Sequence, residues 1–76
     1  MKIAIRLLGQ LSRRAATGAL EIEIHDGATV AKVVQLLGLR PGEVWLVMRD
    51  AQPIDWDDPL QPGDELSLIP PVGGGS

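Results

Sequence analysis

The sequence predicts a two-layer α+β domain: a mixed sheet of four to five strands with one helix packed across one face. Three observations carry this expectation. Apolar and polar residues alternate over two segments near the start of the chain, and apolar residues recur once at helical spacing in the middle. Short apolar segments bounded by Pro, Gly and Asp occupy the remainder.

Ile3, Ile5 and Leu7 alternate with Lys2, Ala4 and Arg6, which predicts a first, half-buried strand. Residues 9–18 hold Ser12, Arg13, Arg14 and Thr17 between two glycines, the composition of a connecting loop. Leu20, Ile22 and Ile24 then alternate with Glu21, Glu23 and His25, so the first two strands form a hairpin that ends at Asp26 and Gly27. From Thr29 the period changes. Val30, Val33, Val34 and Leu37 lie at i, i+3, i+4 and i+7, one apolar stripe of a helix, with Thr29 as its N-cap and Gly38 followed by Leu39 as an αL terminus. Three valines make a poor helix by propensity. Burying the four stripe residues contributes roughly 6–12 kcal/mol at most, so the helix depends on the sheet beneath it.

Arg40, Pro41 and Gly42 break the chain, and the apolar run from Val44 to Met48 predicts a third strand. A one-residue change of register reverses the face of every side chain, so Trp45 is assigned to neither face. Asp50 and Ala51 begin a turn into a short strand that must lie at an edge, because Pro53 cannot donate to a central ladder. A polar loop from Asp55 closes at Pro62 and Gly63. Glu65 to Ile69 is the last strand, with Leu66 and Leu68 on one face, and Pro70 and Pro71 end regular pairing. The expected organisation is one domain over residues 1–69 and a flexible tail over 70–76.

The chain has 76 residues, of which 45% are hydrophobic and 22% charged. That balance is too apolar for disorder and too evenly charged for a membrane protein. No apolar run approaches the roughly 18 residues that a spanning helix needs, and Met1 to Gly9 lacks the layout of a signal peptide, so a soluble cytoplasmic protein is expected. A net charge of −3 argues against nucleic-acid binding. Without cysteine there is no disulfide, no thiolate metal site and no side-chain thiol to carry sulfur.

The end of the chain is the most specific part. Leu60, Gly63 and Asp64 form a Leu-x-x-Gly-Asp turn into the last strand, and Pro70, Pro71, Val72, Gly74 and Gly75 form a Pro-Pro-Val-x-Gly-Gly element. On these residues the whole chain resembles the MoaD/ThiS sulfur-carrier family of ubiquitin-like β-grasp proteins. The Pro-Pro-Val element is more similar to its molybdopterin synthase small-subunit branch than to the thiazole-pathway carriers.

The resemblance implies a non-catalytic co-substrate. The Gly75 carboxylate would be activated with ATP by a ubiquitin-activating-type adenylating enzyme, and sulfur would displace the adenylate. The resulting thiocarboxylate would then serve a sulfur-accepting synthase large subunit in molybdopterin or a related biosynthesis. The chain itself would bind no cofactor and no metal. Pro70, Pro71, Val72, Gly73, Gly74 and Gly75 would enter the partner, where glycines fit a narrow channel and the proline pair limits the cost of ordering. Six extended residues at about 3.3 Å each reach roughly 20 Å. Ser76 departs from the pattern, which ends on the second glycine. It is foreign to the natural chain, or a peptidase removes it, or the tail carries nothing. A ubiquitin-like modifier joined to target lysines, and a non-covalent interaction or fusion module with an inert tail, are the alternative readings.

Other candidate sites are weaker. Asp50, Asp55, Asp57 and Asp58 lack the glycine and glutamate spacing of a calcium loop and read as a solvated acidic loop. Arg13 and Arg14 read as solvated, His25 as a strand-end surface residue, and Glu21 and Glu23 as a solvent face. Trp45 and Trp56 are core or loop packing, or part of an apolar docking patch. With no cysteine and one histidine, neither a catalytic triad nor a histidine-rich metal site can be assembled.

Overall fold

In a computed structural model of the chain, residues 1–14 and 18–71 are described. The strands are β1 (Lys2–Leu7), β2 (Ala19–Glu23), β3 (Leu46–Arg49), β4 (Gln52–Pro53) and β5 (Glu65–Ile69), and the helix is α1 (Val30–Leu36). They form one mixed sheet in the order β2-β1-β5-β3-β4, with β1 and β5 parallel and the other neighbours antiparallel. Strand followed by strand, helix and three further strands is the expected order, and the edge position expected from Pro53 holds: β4 pairs only with β3, through Met48 opposite Pro53 and Arg49 opposite Gln52.

Period-2 burial explains the sheet. Ile3, Ile5 and Leu7 of β1 and Leu66 and Leu68 of β5 are buried on the helix side, where Ile5 lies opposite Leu66 and Leu7 opposite Leu68. Val47 of β3 lies opposite Leu68 and completes that layer. Val30, Val33 and Val34 press on it from α1, while Leu37 is half-buried at the core margin. Their side chains rather than their helix propensity hold this short helix in place.

The two ends of α1 differ in how far local sequence explains them. At the C-terminus, Gly38 at φ +74° lets its own N–H reach Gln35 O at 3.0 Å and the Leu39 N–H reach Val34 O at 3.1 Å, a Schellman closure in which Leu39 is buried as expected. At the N-terminus Thr29 occupies the cap position, but its side chain makes no capping hydrogen bond. Carbonyls from a distant loop take that role: Val30 N–H donates to Asp58 O at 3.3 Å and Ala31 N–H to Trp56 O at 3.0 Å. The same loop is fastened by Leu60 N–H to Ala28 O at 2.8 Å, and Leu60 is buried.

Two further expectations are revised. Residues 9–14 of the first connection are not irregular; Gly9–Arg14 is a 3-10 turn that buries Leu11 and so adds to the core. The third strand begins at Leu46 instead of Val44. A second 3-10 turn, Pro41–Glu43, precedes it, and Val44 is buried before the chain enters the ladder. That arrangement leaves Trp45 exposed.

Candidate functional site

The candidate site is the point where the chain leaves the sheet. β5 is the central strand, bonded on one side to β1 and on the other to β3. Its last two carbonyls are both occupied. Leu8 N–H donates to Leu68 O at 3.1 Å and Trp45 N–H donates to Ile69 O at 2.8 Å, one from each flank. Pro70 and Pro71 follow, and neither has an N–H with which to extend the ladder. The exit from the sheet is therefore both abrupt and held from two sides. Pro70 is half-buried and Pro71 exposed. Val72, Gly73, Gly74, Gly75 and Ser76 lie outside the described residues.

Around this exit the open face of the sheet is apolar. Leu46 lies opposite Ile69 and Met48 opposite Ser67, all on the face away from the helix. Leu8 and Trp45, two of the large hydrophobic residues that stand exposed, flank the end of β5; Trp45 is 63% exposed. Farther from the exit the same face is charged: Lys2 lies opposite Glu23, and Ala4 is flanked by Glu21 on β2 and Glu65 on β5. The open face thus carries charge on its β1–β2 side, with Arg6 reaching the row of Ser67, and apolar side chains on its β3 side beside the tail. An exposed tryptophan beside a strand terminus is costly to solvate and is the kind of residue that anchors protein contacts.

The other sequence candidates fall away from this point. Glu21, Glu23 and His25 are exposed, as their strand positions predicted. Asp50 sits in the β3–β4 turn, and the Asp58 carboxylate accepts the Asp55 N–H at 2.9 Å within its own loop. Among the described residues, no three His, Cys, Asp or Glu side chains are grouped so as to hold a metal ion, and no helix is long and apolar enough to cross a membrane. Trp56 is half-buried against the core, whereas Trp45 stands exposed beside the exit. Leu8 and Gly9 carry no signal in the sequence that would mark them as neighbours of the tail.

The ThiS family model matches residues 5–75, nearly the whole chain and all of the elements that build this exit. The chain belongs to the ThiS family. No curated protein matches it, but solved structures do. SAMP1 from Haloferax volcanii is 26% identical with a TM-score of 0.77, over 99% of this chain and 100% of that one. The structure described as small archaeal modifier protein 1 of H. volcanii is 21% identical with a TM-score of 0.78, over 93% and 98%, a likeness of fold alone. A chain from the complex of subunits 1 and 2 of the molybdopterin-converting factor of Helicobacter pylori 26695 is 25% identical with a TM-score of 0.66, over 99% and 100%. The ThiS-family chain described here accordingly has the ubiquitin-like β-grasp fold that its sequence predicted.

Proposed function

We propose that this ThiS-family chain is a sulfur carrier whose Gly75 carboxylate is the loaded group, acting in molybdopterin or a related cofactor biosynthesis in the cytoplasm. The observation that supports it most is the exit of the central strand: a chain held from both flanks at Leu68 and Ile69, then continued by two prolines that cannot extend the ladder, beside exposed Leu8 and Trp45. A rigid base aiming a narrow, glycine-ended tail suits a group that must reach the nucleotide site of another enzyme. In the proposed reaction a carboxylate oxygen of Gly75 attacks the α-phosphorus of ATP in an adenylating partner and pyrophosphate leaves. Hydrosulfide supplied by the partner system then attacks the acyl carbon, the bond to AMP breaks and AMP leaves, and a thiocarboxylate results. Delivery to a synthase large subunit follows, a pairing whose support is the subunit 1 and 2 complex of the H. pylori relative. The chain contributes no catalyst of its own.

A chain ending at Gly75 is expected to support ATP–pyrophosphate exchange with an adenylating enzyme that acts on ThiS-family carriers. The chain that keeps Ser76 is expected to do so only after a peptidase removes that residue, and loss of Gly75 and Ser76 together abolishes exchange with the fold intact. Exchange that survives this deletion refutes the proposal. Likeness to SAMP1 from Haloferax volcanii, 26% identical, supports a second reading, in which the same carboxylate is joined to lysines of target proteins. Isopeptide-linked conjugates in cell extract, absent when Gly75 is deleted, distinguish it.

A further inference from the structure

We infer that Gly9 is a positioning residue for the tail: its missing side chain is what lets Pro70 seat at the sheet exit, and so sets the direction in which the chain departs. The inference rests on the carrier reading for its consequence, but its geometry stands apart from it. Gly9 opens the 3-10 turn after β1, at φ +55°. A Cβ built there would lie 2.9 Å from Pro70 Cγ and 3.5 Å from Pro70 Cδ. The optimum for two carbons is about 3.5–4.0 Å, so the first contact cannot be accommodated without movement.

Neither side yields easily. Gly9 is held by its own turn: Ser12 Oγ donates to Gly9 O at 2.8 Å, Leu11 N–H donates to Leu8 O at 3.1 Å, and the Leu11 side chain is buried. Leu8 N–H in turn ties this turn to Leu68 O, two residues before Pro70. On the other side the Pro70 ring is part of the backbone. Its Cγ can shift only by a change of ring pucker, and any displacement of the ring as a whole means turning the main chain. Relief beyond a change of pucker therefore comes from the Ile69 torsions that carry the ring, at the expense of the Trp45 N–H to Ile69 O bond. Such a rotation re-aims Pro70 and Pro71, from which the tail departs. Misplacement of about 1 Å at reacting atoms can cost on the order of 100-fold in rate.

The test uses the chain ending at Gly75 with Gly9→Ala, Pro70→Ala and the two combined, measured by adenylation kinetics and by denaturant unfolding. Gly9→Ala is expected to lower kcat/KM for the carrier about tenfold or more. Combining it with Pro70→Ala is expected to recover most of that loss, since Cγ and Cδ are gone while the positive φ at position 9 remains. A combined variant as defective as Gly9→Ala, or a Gly9→Ala chain with normal kinetics, overturns the inference. If Gly9→Ala does not fold, Gly9→Asn supplies the Cβ on a residue that tolerates this φ.

A second readout is independent of any enzyme. Because the chain has no cysteine, Ser76→Cys in the full-length chain takes a single spin label, and relaxation of the Leu8 and Trp45 amides reports where the tail points. Gly9→Ala is expected to change that pattern, and an unchanged pattern overturns the inference. A wild-type chain that is never adenylated, together with a pattern that does change, would remove the carrier reading and leave the role of Gly9 in place.

Discussion

The Arg49 guanidinium, at the end of β3, lies 3.3 Å from the Asp64 carboxylate in the turn that leads into β5. The same Asp64 oxygen accepts the Gln61 N–H at 2.8 Å, and the same Arg49 nitrogen donates to Pro59 O at 3.3 Å. One half-buried pair thus ties the hairpin of β3 and β4 to the turn that starts the central strand. This gives a physical reason for the Leu-x-x-Gly-Asp motif: Leu60 is buried beneath the turn, and Asp64 closes it. Asp64→Ala leaves both the Gln61 N–H and Arg49 without this acceptor and is expected to cost about 1–3 kcal/mol in denaturant unfolding. Arg49→Met is expected to cost less, and only its ion-pair part, about 1 kcal/mol or below, should shrink in high salt.

The β3–β4 turn is under local strain. Asp50 and Ala51 both have positive φ, 52° and 67°, as a two-residue hairpin of the mirror-image type requires. Alanine pays for its Cβ in that region. Ala51→Gly is expected to raise stability by about 0.5–1 kcal/mol, read as a higher denaturation midpoint with an unchanged slope.

Leu66 is fully buried at the centre of the sheet, opposite Ile5 on one side and Arg49 on the other. Leu66→Ala is expected to cost about 2–5 kcal/mol. A domain of this length holds only about 4–11 kcal/mol in total, at roughly 0.05–0.15 kcal/mol per residue. Thermal unfolding should therefore shift far more for this substitution than for any surface change.

Trp45 separates docking from folding. Its backbone N–H bonds to Ile69 O, but its side chain is mostly exposed. Trp45→Ala is expected to change stability by less than about 0.5 kcal/mol. Under the proposed function it should weaken binding to an adenylating partner about tenfold or more, measured by calorimetry. Unchanged affinity would remove Trp45 from the docking surface.

Much of the fold was legible because its signals are local. Alternation at Ile3, Ile5 and Leu7 and at Leu20 and Ile22 marks strands, and the Glu65–Ile69 segment matches its expected bounds. The 3-10 turn at Gly9–Arg14 was not legible, because one apolar residue, Leu11, among polar ones has no period. The site was legible only in part: the proline pair and the glycines stand out in the sequence, whereas the residues that brace them do not.

By itself the sequence determined which side chains seek the core, where the helix stops, and that the chain ends its last strand on two prolines. Each of these depends on neighbours a few residues away, so it leaves a periodic or chemical trace. Only the tertiary structure decided that Trp56 and Asp58 carbonyls cap the helix, that Trp45 faces solvent, and that Gly9 meets Pro70. These rest on contacts between segments distant in the chain. A pattern of burial records whether a residue is covered, and carries no record of which residue covers it.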